Sequence, residues 1–146
     1  MDSQTDKIEI ALNLVNKTSL IVKRLDSTLG SIHGIGFTEY MVLFHLNQSY
    51  NQTMRRIDLA NSIGLTASGI TRIVSPMEKI GVVMKEQNPR DARVSLVKMT
   101  PAGEDVFTNA TLSIQQNSAR LLSGVNADSL TCALTVFKAL GNDTYV

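Results

Sequence analysis

The 146-residue sequence has no tryptophan, three prolines and one cysteine. With Cys132 alone, an internal disulfide is excluded, and so is any zinc site built on several thiolates. Long apolar runs are missing too: no stretch approaches the ~20 consecutive apolar residues that span a bilayer. Met1 leads into Asp2, Ser3, Gln4, Thr5 and Asp6 rather than a basic start and an apolar segment. That start reads as a cytoplasmic protein without a secretory signal. Charge of one sign is also scarce, because 14 Lys and Arg oppose 13 Asp and Glu for a formal net charge of +1. A polybasic tail or a generic nucleic-acid coat is thereby excluded, whereas a local basic site is not. What is present is 43% hydrophobic and 18% charged residues, enough apolar material to build a core.

Apolar spacing predicts a mainly helical chain. Over residues 6–30, Ile8, Ala11, Leu12, Val15, Val22, Leu25 and Leu29 recur at helical intervals. A second set, Ile10, Leu14 and Ile21, lies on another part of the same wheel. A surface helix needs one apolar stripe. Two stripes imply either a central helix of a monomeric core or a helix buried against both its own domain and a partner chain. After a break at Ser31–Gly36, Thr38 is a plausible N-cap for a helix to Asn47, and Thr53 for a short helix to Ile63 with Ile57, Leu59, Ala60 and Ile63 facing inward. Gly64 ends that helix, and Thr66 starts another that runs to about Ile80. The period then changes. Val82–Glu86 and Val94–Met99 read as strands around the turn-forming Gln87–Asp91. Thr100-Pro101 restarts helix with a capping hydroxyl and a proline at the first helical position. A break near Gly124–Asp128 precedes a last helix containing Leu130, Leu134, Phe137 and Leu140.

Residues Arg56–Glu78 fit a helix–turn–helix. Ala60 is small where two helices cross, Gly64 suits a left-handed turn, and Leu59, Ile63, Leu65, Ile70 and Ile73 occupy interior positions. The outward face of the second helix carries Thr66, Ser68, Thr71, Arg72 and Ser75, and no carboxylate interrupts it before Glu78. Short hydroxyls and an arginine suit phosphates and base edges in a major groove. The following β-ribbon places Arg90 and Arg93 at or near its tip, where an arginine can enter a minor groove. Asp91 is expected to orient a guanidinium by a charged hydrogen bond. From Arg55 to Lys98 eight basic residues face four acidic ones, so the positive excess of the chain is concentrated in this segment.

Asp91-Ala92-Arg93, followed by Met99-Thr100-Pro101-Ala102-Gly103, resembles the D-x-R…(L/M)-T-x-x-G signature of the MarR family of bacterial regulators. Leu59-Ala60, Thr66, Thr71-Arg72 and Glu78-Lys79-Ile80-Gly81 resemble that family's recognition-helix segment, and the order of elements agrees from residue 6 to residue 140. The resemblance implies one MarR-like domain over 1–146. In it, a winged helix–turn–helix at 37–100 is joined to dimerisation helices at 6–30 and 101–140. It also implies an obligate homodimer on a pseudo-palindromic double-stranded DNA operator, usually a repressor released by a small aromatic effector. Arg93 would be the minor-groove arginine, and Thr66, Ser68, Thr71 and Arg72 the recognition-helix contacts. Effector sites in the family lie between the dimerisation helices and the winged helix, which makes His33, Tyr40, Met41 and Phe44 candidates, although each also reads as core. One departure is Pro76 inside the recognition helix, which predicts a bend beginning at Arg72.

Other chemistries find little support. His33 and His45 lack metal-ligand spacing, and Gly30, Gly34 and Gly36 lack both the G-x-G-x-x-G spacing and a preceding strand. No cofactor and no enzymatic activity are expected. Cys132, beside Ala133 and Leu134, reads as a small buried hydrophobe. The competing reading for the whole chain is a winged-helix protein-interaction module without operator affinity.

Overall fold

A computed structural model describes residues 3–140. Helix α1 runs from Ser3 to His33, longer at both ends than the apolar pattern indicates. Gly30 lies inside it. The left-handed residue that ends it is Gly34, at φ 71°, with its N–H bonded to the Gly30 carbonyl at 3.3 Å. Leu29 is the buried residue of α1, and every residue from 7 to 20 is exposed.

Helix α2, Phe37–Gln48, begins one residue before the predicted cap at Thr38. Carboxylates do the capping instead. Glu39 accepts from the Gly36 N–H at 3.0 Å, and Asp26 of α1 accepts from the Phe37 N–H at 2.8 Å. A single 3-10 turn, Tyr50–Gln52, follows, with Asn51 and Gln52 both at positive φ.

Thr53 is not a helix cap. Thr53–Arg55 forms strand β1, and helix α3 occupies Arg56–Ile63. Three residues carry too short a pattern to reveal a strand, and this one exists by pairing, with Met54 opposite Val97. Ile57, expected to face inward, is 48% exposed, while Leu59 and Ala60 are buried. Gly64 closes α3 at φ 76°. Helix α4, Ala67–Lys79, continues through Pro76 as one element, with Val74 and Met77 fully buried on either side of the proline.

Strands β2, Val83–Gln87, and β3, Ser95–Met99, each start one residue later than predicted and pair antiparallel, Val83 with Met99 and Gln87 with Ser95. The sheet order is β1-β3-β2. Helix α5 covers Pro101–Leu121 and helix α6 Ala127–Ala139, the latter capped by Asn126, which accepts from the Ser129 N–H at 2.8 Å.

The chain falls into two compact units, the first ending at Ile114 and the second beginning at Gln115. In the first, Leu43, Leu46, Leu59, Ile70, Val74, Met77 and Val97 form a core that seats α3 and α4 against α2 and the sheet. In the second, α6 has no fully buried residue. Cys132, expected to be buried, is therefore exposed in the single chain. Among the described residues no helix is long and apolar enough to cross a membrane.

Candidate nucleic-acid interface

The turn between α3 and α4 is built by two residue types. Gly64 takes the left-handed conformation, which lets the Leu65 N–H bond the Ala60 carbonyl at 2.8 Å. Thr66 then caps α4: its Oγ1 accepts from the Gly69 N–H at 3.1 Å and lies 3.3 Å from the Ser68 hydroxyl. Thr71 donates to the Ala67 carbonyl at 3.1 Å, which leaves its oxygen lone pairs facing outward as acceptors. Thr66, Ser68, Thr71 and Arg72 are all exposed, and Ser75 is half-buried. The structure thus brings the first four together on the leading half of α4, with Ser75 at the edge of that face.

Arg90 and Arg93 stand apart from these, in the loop between β2 and β3. Asn88 Oδ1 accepts from the Arg90 N–H at 2.9 Å, and Asp91 Oδ1 accepts from the Arg93 N–H at 3.0 Å, two local turns that shape the tip. Asp91 also takes a hydrogen bond from Arg93 Nε at 3.3 Å, the orienting contact expected of it. The Arg93 side chain is otherwise 92% exposed.

All four acidic residues between Arg55 and Lys98 are engaged by a base. Asp58 receives two hydrogen bonds from Arg55, at 2.8 and 3.0 Å, which hold its carboxyl below the usual carboxylate range and raise the arginine in turn. Glu78 pairs with Arg56 at 2.8 Å, Asp91 with Arg93, and Glu86 with Lys98 at 3.8 Å. Among the described residues, Arg72 and Lys79 of α4, Lys85 of β2 and Arg90 of the wing loop form no ion pair. The local excess of positive charge therefore sits on the recognition helix and the wing.

Sequence reasoning missed Arg56 and its partners. Glu78 and Ser95 lie far from it in the chain, so no local spacing could signal the contact. Arg56 donates to Glu78 Oε1 at 2.8 Å and reaches Ser95 Oγ at 3.5 Å. The signature at the end of the wing also has a structural cause. The Thr100 hydroxyl donates to the Gly81 carbonyl and accepts from the Gly103 N–H at 3.0 Å, and Gly103 approaches Val82 so closely that a Cβ would lie 2.0 Å from the Val82 carbonyl oxygen.

Of the candidates for an effector site, Tyr40, Met41 and Phe44 pack into the core of the first unit, and His33 contacts α5 on its own. Tyr40 is 5% exposed, stacks on Phe107 with ring centroids 5.5 Å apart, and shares a 3.1 Å hydrogen bond between its hydroxyl and Thr111. Phe44 packs beside Tyr40, Met41 is half-buried against the same core, and His33 Nε2 lies 2.8 Å from the Ser113 hydroxyl.

Residues 37–95 match the family model described as MarR family. Over 102 residues, 70% of this chain and 59% of the other, the sequence is 21% identical to the HTH-type transcriptional regulator YdgJ of Bacillus subtilis. The match thus spans less than two thirds of that relative's length. The regulator BldR of Sulfolobus solfataricus superposes with a TM-score of 0.85 at 22% identity, covering 95% of this chain and 99% of that one. Sco3205, a MarR family transcriptional regulator of Streptomyces coelicolor solved in complex with DNA, superposes with a TM-score of 0.84 at 19% identity, covering 92% and 85%. The family-model match falls on the same residues that build the helix–turn–helix and most of the wing, so over residues 37–95 the chain resembles the MarR family, and its fold is the one these regulators adopt.

Proposed function

We propose that the chain is a sequence-specific regulator of transcription that binds double-stranded DNA as a homodimer, acting from the cytoplasm as a repressor on a pseudo-palindromic operator. The observation that carries this reading is the charge pairing. With every local carboxylate engaged, Arg72, Lys79, Lys85 and Arg90 are left to meet phosphates, next to hydroxyls able to reach base edges. Thr66, Ser68, Thr71, Arg72 and Ser75 are assigned to the major groove and Arg90 and Arg93 to the adjacent minor groove. The single MarR-like domain over 1–146 is the functional unit, with 6–30 and 101–140 as its dimerisation helices.

The dimer reading draws on α1 and on the C-terminal helices. Ile8, Leu12 and Val15 on α1, and Leu134, Phe137 and Leu140 at the other end of the chain, are exposed in the single chain. Fully burying an aliphatic side chain of this size is worth about 1.5–3 kcal/mol, so a partner covering such rows gains heavily. A two-fold dimer would set its recognition helices one DNA turn apart, ~34–36 Å. Release by a small aromatic effector would require that it reach His33, Tyr40, Met41 and Phe44 and favour another dimer shape. Reversing a 1:99 population needs a preference of ~5.5 kcal/mol.

Gel-shift titration on the DNA upstream of the chain's own gene tests the proposal, with light scattering on the same sample to establish the dimer. A folded dimer that fails to retard that DNA, and selects no duplex from a random pool, would favour the protein-interaction module instead.

A further inference from the structure

Three elements of the DNA reader meet at one side chain. Arg56 begins α3, Glu78 lies in the last turn of α4, and Ser95 begins β3. The guanidinium donates through Nη2 to Glu78 at 2.8 Å and through Nε to Ser95 at 3.5 Å, while Nη1 is buried with no hydrogen-bond partner in the structure. The side chains of Arg56 and Glu78 are 20% and 27% exposed, well shielded for an ion pair. Shielding strengthens the pair and makes either charge costly to leave alone.

The position of Glu78 gives this contact its purpose. Pro76 has no N–H, so the Arg72 carbonyl loses its normal helical donor, and the backbone ladder lacks one bond between the part of α4 that carries the reading face and the turn after it. Glu78 is two residues beyond the proline. An outside pin on that turn supplies what the ladder lacks, and because the same guanidinium reaches Ser95, it ties the turn to the strand that leads out of the wing.

We propose that Arg56 is a positioning residue for DNA recognition: through Glu78 and Ser95 it sets the recognition helix and the wing at the one mutual angle that reads both grooves. Arg56 itself contacts no DNA. This rests on the DNA-binding reading above, and the test separates the two.

The full-length protein selects a duplex from a randomised pool, and Arg56→Met and Glu78→Gln are compared with it on that duplex and on a scrambled one. Each variant should lower the ratio of specific to non-specific affinity about tenfold, the scale of one misplaced base contact. Non-specific affinity and its salt slope should stay as in the native protein, since no phosphate contact is lost. The double variant should lose no more than either single one, because both remove the same link. In both variants amide hydrogen exchange should accelerate at residues 77–80 and not in α2. A salt slope reduced by about one in Arg56→Met alone would make Arg56 a phosphate contact and overturn the proposal. Additive losses, or an unchanged ratio, would overturn it as well. If the native protein selects no duplex, the regulator reading fails, and the exchange at residues 77–80 still decides whether Arg56 pins that turn; unchanged exchange overturns the pin. Glu78→Gln keeps the comparison available if Arg56→Met does not fold.

Discussion

Replacing Gly103 by alanine should destabilise this protein, against the ordinary preference of helices. An alanine in a helix interior is favoured over glycine by about 1 kcal/mol. At Gly103 the added methyl would lie 2.0 Å from the Val82 carbonyl oxygen, 2.9 Å from its carbon and 3.0 Å from Met99 Cγ. Carbon and oxygen ordinarily settle at about 3.3 Å or more, so the first turn of α5 must withdraw by more than 1 Å. The obstacle is backbone, and that oxygen is also the acceptor of the Thr100 N–H at 3.1 Å. Overpacking of this kind costs ~1–3 kcal/mol, and the upper end applies because Met99 is buried behind the contact. Losing the hydrogen bond adds about 1 kcal/mol. Set against the helical gain, the net loss is about 3 kcal/mol, or roughly 6–12 °C in Tm for a chain of this size. Gly30→Ala is the matched control. It is the same chemical change inside α1, where a Cβ would meet no atom within 4 Å, and it should stabilise by up to about 1 kcal/mol. Urea melts of both variants at one fixed protein concentration, needed because a dimer's midpoint depends on concentration, give the two signs. A Gly103→Ala protein as stable as the native one would refute the close-approach argument.

Arg72→Ala should cost ~1–3 kcal/mol of discrimination between a selected duplex and random DNA, read by competition binding; equal weakening on both would make Arg72 a phosphate contact. Arg93→Ala should weaken binding to all duplexes and lower the salt slope by about one, and an unchanged slope would remove it from the groove. Val15, 67% exposed in the single chain, would tolerate glutamate within about 0.5 kcal/mol if it faced water. Val15→Glu should instead shift the sedimenting species toward monomer, and a dimer of native strength would exclude this part of α1 from the interface. The hydrogen bonds from Arg55 hold the Asp58 carboxyl below its usual range, so this pair stabilises the fold above the ordinary carboxylate pKa and the benefit is lost as pH falls through the lowered value. The Tm gap between the native protein and Asp58→Asn should therefore close in acid, and a gap constant with pH would refute that origin.

The long elements of the fold were legible because their signals are local and repeated. The 3.6-residue spacing on α1, α4 and α5, the glycine after α3 and the Thr-Pro start of α5 each act within one or two turns. What stayed hidden depends on partners distant in sequence. Thr53–Arg55 is a strand because β3 lies beside it. The start of α2 is set by Asp26, eleven residues upstream of Phe37. Ile57 fits the helical spacing of α3 yet faces out, because a short helix buries little more than Leu59 and Ala60.

The site was legible to the same degree and for the same reason. The hydroxyl and arginine face of α4 follows from spacing along one helix, and the Asp91–Arg93 contact from two residues of one turn. The charge count of residues 55–98 was also readable, but a count cannot say which cations are spent. Four carboxylates could have neutralised any of eight bases. The fold pairs them with Arg55, Arg56, Arg93 and Lys98: three of those pairings join different elements or strands, and the fourth, Asp91 with Arg93, shapes the wing tip. A chain with the same composition and with Glu78 left unpaired would carry the same net charge and keep a free carboxylate on the recognition helix. The pairing of Glu78 with Arg56 therefore does two things at once: it holds the turn after Pro76, and it takes away the one carboxylate of α4 that could oppose a phosphate.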